Sequence, residues 1–145
     1  MTKDMTIQEF ADKHDACQES VKWALENCAS MREAWEKIRA EDLVWIATRP
    51  GVLTDKESRL FACWSVRQVW HLLNDPRSRN AVEVSERYAN GEATETELRG
   101  ARAAAAAGSA AAAAAAAARA AAAAGAAQAI YLRANCKPDF RRGNR

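Results

Sequence analysis

The sequence predicts an all-α fold, a multi-helix bundle with a long alanine-rich C-terminal helix. Three observations carry this. Helix start signals recur along the chain, strand patterning is nearly absent, and 23 of the 29 residues from Ala101 to Ala129 are alanine.

The first helix is expected from about Ile7 to Cys28, with a break near Asp15. Thr6-Ile7-Gln8-Glu9 fits a capping box, in which the threonine oxygen and the glutamate satisfy orphan backbone N–H groups, and Met5 and Phe10 are spaced to staple that end. Cys17, Val21, Ala24, Leu25 and Cys28 recur at helical spacing and form its apolar stripe. A second box, Ser30-Met31-Arg32-Glu33, opens a helix to about Arg39, with Met31, Ala34, Trp35 and Ile38 inward. A short third helix carries Leu43, Val44, Trp45 and Ile46 and stops before Pro50-Gly51. The fourth, Asp55 to Leu73, opens on the box Thr54-Asp55-Lys56-Glu57. It is apolar almost all round, the pattern of a helix buried on most sides.

The fifth helix spans Pro76 to Asn90. Asp75 caps it and Pro76 takes the first helical position, where a missing N–H costs nothing. Asn90-Gly91 closes it. Ala81, Val84, Ser85, Tyr88 and Ala89 share one face; Arg79, Glu83 and Arg87 share the other at i, i+4 charge spacing. The last helix starts at the box Thr94-Glu95-Thr96-Glu97 and runs to about Ala134. Alanine loses no side-chain entropy on folding, so a run of this length is helical by itself.

All five tryptophans lie between positions 23 and 70, so the core is expected in the first half. The organisation read from this is one helical domain over residues 1–136, with core helices in 1–93 and the alanine-rich helix in 94–136, followed by a basic solvated tail at 137–145. The alanine helix either packs closely on the core or forms a seam between copies in a homo-oligomer. A membrane span is long enough in residues, but alanine is weakly apolar and Arg119 sits mid-run, where lipid would penalise it.

The net charge of +2 hides an asymmetry. Residues 1–98 carry 13 basic against 18 acidic side chains, and residues 99–145 carry 8 against one. The cysteines Cys17, Cys28, Cys63 and Cys136 show no C-x-x-C and no Cys/His cluster, and the apolar neighbours of Cys17, Cys28 and Cys63 predict buried free thiols there. Together with the polar start from Met1, this points to a reducing, cytoplasmic setting.

No cofactor, metal or catalytic motif is visible. His14 and His71 lack a second histidine at i+3 or i+4; the glycines are isolated, so no phosphate loop is present. Three sets of residues remain as binding candidates. On the fourth helix Trp64, Arg67 and His71 fall in one sector, where they line a partner site or where Arg67 pairs with a glutamate of a neighbouring helix. Trp23 points away from the apolar stripe, among Glu19, Glu26 and Asn27, and either anchors a partner or covers a neighbouring helix. For nucleic acid the candidates are Arg77 and Arg79 near a helix start, and the tail with Arg141, Arg142 and Arg145; the competing reading is a solvated basic tail.

The stretch Arg59 to Leu98, RLFACWSVRQVWHLLNDPRSRNAVEVSERYANGEATETEL, is followed by the alanine-rich run. It resembles a family of helical bacterial immunity proteins of the immunity-five-like kind, and Cys17, Trp23, Cys28 and Ala34-Trp35-Glu36 are similar more loosely. The alanine helix departs from the family pattern, which intersperses tyrosine, tryptophan or aspartate there. The resemblance implies a helical fold and toxin neutralisation, with no catalytic residues. The expected function is therefore a non-enzymatic inhibitor that occludes a toxin, nuclease or other effector protein. The alternatives are a phage-type inhibitor of a nucleic-acid-targeting defence complex (anti-CRISPR-like) and a nucleic-acid-binding protein using the basic tail.

Overall fold

The computed structural model describes residues 3–106 and 125–143. The chain is all-α, and no strand occurs among the described residues. It divides into two compact units, one formed by Met1–Thr54 with Ala126–Arg145 and the other by Asp55–Gly125. Residues 107–124, with Arg119 and the middle of the expected alanine helix, lie outside the described residues, and so does the homo-oligomer seam expected there.

The first unit opens with α1 (Ile7–His14). Its capping box is complete: Thr6 Oγ1 accepts from Glu9 N, and Glu9 Oε2 accepts from Thr6 N at 2.8 Å. Met5 and Phe10 are both buried. The expected break occurs at Asp15, which adopts the left-handed conformation (φ 55°), one that aspartate tolerates better than most residues. The chain restarts as α2 (Gln18–Asn27) and then α3 (Met31–Lys37). Ser30 Oγ caps α3 by accepting from Glu33 N, while the Glu33 carboxylate accepts from Ala29 N, one residue earlier than a regular box. α3 ends where Ile38 turns extended. The orphan carbonyls at that end are taken by one side chain: Arg133 donates to Trp35 O at 2.8 Å and to Ile38 O at 2.6 Å. A cation there also complements the negative end of the helix. α4 (Ala40–Ala47) buries Leu43, Ile46 and Ala47.

Arg133 belongs to α8 (Gly125–Asn135), whose Ala129 and Leu132 are buried. The residues after α8 overturn the expectation of a solvated tail. Phe140 is fully buried, and Asp139 nearly so. Their backbone is tied in by Met5 N donating to Phe140 O (2.7 Å), Asp139 N to Val52 O (2.8 Å) and Arg142 N to Lys3 O (3.0 Å). The physical reason is that one aromatic anchor outweighs the surrounding charge, and that charge is itself neutralised locally: Arg141 pairs with Asp139 at 2.7 Å, and Arg142 pairs with Glu9.

In the second unit α5 covers Asp55–Arg67, and a 3-10 turn follows at Trp70–Leu72. This corrects the expectation of one helix to Leu73, buried on most sides. Only Phe61 and Cys63 of α5 are fully buried. The helix stops because its end is captured from the side. Arg79 donates to Leu73 O at 2.5 Å and Trp70 O at 3.1 Å, and the Trp70 ring lies near the guanidinium groups of both Arg67 (4.5 Å) and Arg79 (5.3 Å). α6 (Pro76–Ala89) starts with Asp75 Oδ1 accepting from Arg77 N. It ends in a Schellman arrangement, with Gly91 N donating to Tyr88 O and Glu92 N to Arg87 O; Gly91 supplies the positive φ of 76° that this stop requires. α7 (Glu95–Ala106), capped by Thr94, packs on α6 through Val84, Leu98 and Ala101. The expected i, i+4 pairing along Arg79, Glu83 and Arg87 does not form: Arg79 is committed to carbonyls and Arg87 reaches Glu97 on α7 at 3.3 Å.

Candidate partner-binding face

Helices α1 to α4 do not close completely on one another. They leave an open apolar cavity of about 260 Å³, walled by Phe10 of α1, Val21 and Ala24 of α2, Met31 of α3 and Trp45 and Ile46 of α4. Its existence follows from side-chain size. α2 presents Ala24 inward at the level where neighbouring helices offer large groups, while its own leucine, Leu25, is half exposed. The break at Asp15 lets α2 rotate so that Leu25, at the edge of the expected stripe, leaves the core. Cys17 leaves with it and is exposed, against the expectation of a buried thiol; Cys28, Cys63 and Cys136 are buried, and all four are free. Burial pushes the Cys28 and Cys63 thiols up.

The polar part of the cavity is acidic. Asp42 accepts from Ser20 Oγ at 3.0 Å and from Arg39 Nε at 2.7 Å, which fixes it. Glu41 beside it is exposed and has no ion-pair partner among the described residues. Trp23 is 40% exposed and lines an adjoining depression with Glu19 and Asp42 and with the cations Lys37 and Arg39. On the other flank of α2, Leu25 is 50% exposed and shares a wider depression with Asp12, Asp15 and Glu26. Between Ile7 and Asn27 the chain has five carboxylates and two lysines. One helix thus displays two large apolar side chains, an apolar cavity beside it and a negative surround.

Trp23 was legible as a candidate from its polar neighbours. Leu25, Glu41 and the cavity were not, because they depend on how four helices meet. The other tryptophan candidate, Trp64, is half-buried in the second unit. The sector expected to join Trp64, Arg67 and His71 is broken, since α5 ends at Arg67 and His71 sits exposed in the following turn. Arg67 instead donates from Nε and Nη2 to Glu86 of α6, at 2.6 to 3.0 Å, the paired arrangement read as the alternative for this residue.

The cations considered for nucleic acid are engaged within the chain. Arg77 pairs with Asp75 at 2.9 Å and holds that carboxyl below the usual carboxylate range; Arg79 holds carbonyls; Arg141 and Arg142 pair with Asp139 and Glu9. Arg145 lies outside the described residues. Among the described residues no His, Cys, Asp and Glu side chains are grouped to hold a metal ion, and no helix is long and apolar enough to cross a membrane. Comparison with models of known protein families, with curated proteins and with solved structures finds no match.

Proposed function

We propose that this chain is an immunity-type inhibitor that binds a basic toxin or other effector protein and occludes its working surface. The observation that carries the reading is the face of α2: exposed Trp23 and Leu25 flank an open apolar cavity, in a surround where carboxylates outnumber cations. A few buried anchors, tryptophan among the foremost, supply most of the energy of a protein interface. Carboxylates around them steer a positively charged partner and raise its association rate. Occlusion asks for complementary surface and no bond chemistry, so the mechanism needs nothing beyond these groups. The resemblance of Arg59–Leu98 to immunity proteins points the same way. A basic partner also fits the charge of residues 1–98, which carry 18 acidic against 13 basic side chains.

The test is growth on co-expression with basic toxins or nucleases encoded beside the gene. Rescue by the natural chain, lost in a Trp23→Ala/Leu25→Ser double variant that folds normally, is the expected result. Rescue that the double variant retains would displace the site from α2, and no rescue of any such toxin would remove the proposed activity. If the protein captured is a nucleic-acid-targeting defence complex, the phage-type reading replaces the toxin reading with the same face.

A further inference from the structure

We infer that the second unit carries a binding site for a phosphate monoester, built by Ser58 and Arg59 of α5, Ser85 of α6 and Arg102 of α7. These four side chains line one open pocket of about 340 Å³, at the lower end of the range of small-molecule sites, about 300–1,000 Å³. The case rests on what the groups are not doing. In the same unit Arg67, Arg77 and Arg87 each hold a carboxylate. Arg59 and Arg102 hold neither a carboxylate nor a carbonyl among the described residues, and the Ser58 and Ser85 hydroxyls are likewise uncommitted. Two guanidinium groups and two hydroxyls from three helices therefore line one pocket, with the Asp55 carboxylate as the acidic group among them.

The chemistry selects the ligand. A guanidinium presents its N–H groups as a planar fork that matches two phosphate oxygens, and charge-assisted bonds of this kind are the strong ones. The guanidinium of Arg59 lies over the Tyr88 ring, 4.9 Å from its centroid. Ala62 and Cys63 give the pocket an apolar side, and Asp55 is its one acidic lining residue. A carboxylate repels a bare anion but accepts from a hydroxyl. The ligand that satisfies all of these groups is a phosphate joined to a small hydroxylated organic part. This site does not depend on the partner-binding role of α2, and either stands if the other fails.

The experiment is calorimetric titration of the full chain with ribose 5-phosphate, inorganic phosphate and ribose at fixed ionic strength. Saturable one-to-one binding of ribose 5-phosphate is expected, with weaker binding of inorganic phosphate and none of ribose. Arg102→Gln, an exposed position, should weaken both phosphates at least tenfold. Asp55→Asn should weaken ribose 5-phosphate alone. Affinity should fall as pH drops through about 6, where a phosphate monoester loses its second charge. Failure of both phosphates to saturate, or equal affinity in Arg102→Gln with the natural helicity retained, overturns the site. Equal affinity for ribose 5-phosphate and inorganic phosphate overturns the monoester assignment.

Discussion

The ring of Phe140 meets that of Phe10 edge-on, with centroids 5.7 Å apart. Trp35 approaches the same phenylalanine at 6.2 Å, so the segment after α8 is pinned to α1 and α3 by one aromatic cluster. Edge-to-face geometry adds to what area burial alone supplies. Arg141 and Arg142, which follow Phe140, pair with Asp139 and Glu9 of the same unit, and the segment closes the first unit rather than serving as a free cationic arm.

Phe140→Ala should therefore be among the most damaging single changes in the chain. A buried phenylalanine truncated to alanine costs about 3–5 kcal/mol, combining lost transfer energy and the cavity left behind. Urea unfolding followed by tryptophan fluorescence reads this directly, since Trp35 sits against the ring. A loss below about 1 kcal/mol would show that the segment is only loosely attached.

Arg133 is the second anchor of the C-terminal region. Replacing it with methionine keeps most of the aliphatic stem but leaves the carbonyls of Trp35 and Ile38 without their charged donor. Hydrogen bonds to charged groups contribute about 1.5–3 kcal/mol, and that is the expected loss of stability. Arg133→Lys should recover part of it, because one ammonium cannot reproduce the two-pronged contact.

Arg67 and Glu86 are joined by three N–H to oxygen contacts, yet their side chains remain 40% and 28% exposed. Solvent screening limits such a pair, so a double-mutant cycle should return a coupling of about 0.5–1 kcal/mol. Arg67→Ala should cost more than Glu86→Ala, by about 0.5–1 kcal/mol, because it also removes the cation from the Trp70 ring. Equal single-variant losses would mean that the stacking contributes nothing.

Stability should fall on mild acidification, and His14 gives the reason. Partial burial lowers its pKa below the ordinary 6.5, and Lys13 and Arg49 push the same way. Between its lowered pKa and 6.5 the unfolded chain binds more protons than the folded one. Stability therefore rises with pH through that window and is lost as pH falls. Glu9 and Glu33, whose pKa values are lowered by hydrogen bonds from Arg142 and Lys37, act in a separate window below about 4.5. The urea midpoint should thus drop between pH 7.5 and 5.5, and His14→Asn should flatten that dependence. A variant with the same dependence as the natural chain would assign it to other groups.

Local signals in the sequence translate well into local structure. The box at Thr6, the hydroxyl caps at Ser30 and Thr94, the cap at Asp75 and the stop at Gly91 all form where they are read, because each depends on residues within one turn of one another. The break at Asp15 is of the same kind. What fails is whatever depends on distant residues. Phe140 looked like one apolar residue in a basic tail, since nothing near it in sequence announces Phe10 and Trp35. The α5 helix looked continuous to Leu73, since the arginine that captures its end arrives from α6. The apolar cavity is a gap between four helices, and no single helix encodes a gap. Trp23, whose polar neighbours belong to its own helix, is the one element of the candidate face that the sequence exposed.

The α2 face leads to a prediction that separates its two ingredients. Trp23 and Leu25 are already half in water, so Trp23→Ala and Leu25→Ser should each shift stability by no more than about 0.5 kcal/mol, as for surface changes generally. Against a cognate partner, loss of an aromatic anchor should cost about 2 kcal/mol or more and appear mainly as faster dissociation. Glu41→Gln and Glu26→Gln touch no anchor and should act differently. They should slow association and reduce its dependence on salt, with dissociation nearly unchanged, because exposed carboxylates steer over a Debye length of about 8–10 Å rather than hold. Surface plasmon resonance at two ionic strengths resolves the two rates. If the glutamine variants instead dissociated faster at both salt concentrations, the carboxylates would be direct contacts in the bound state, and the partner's cations would sit against the face itself.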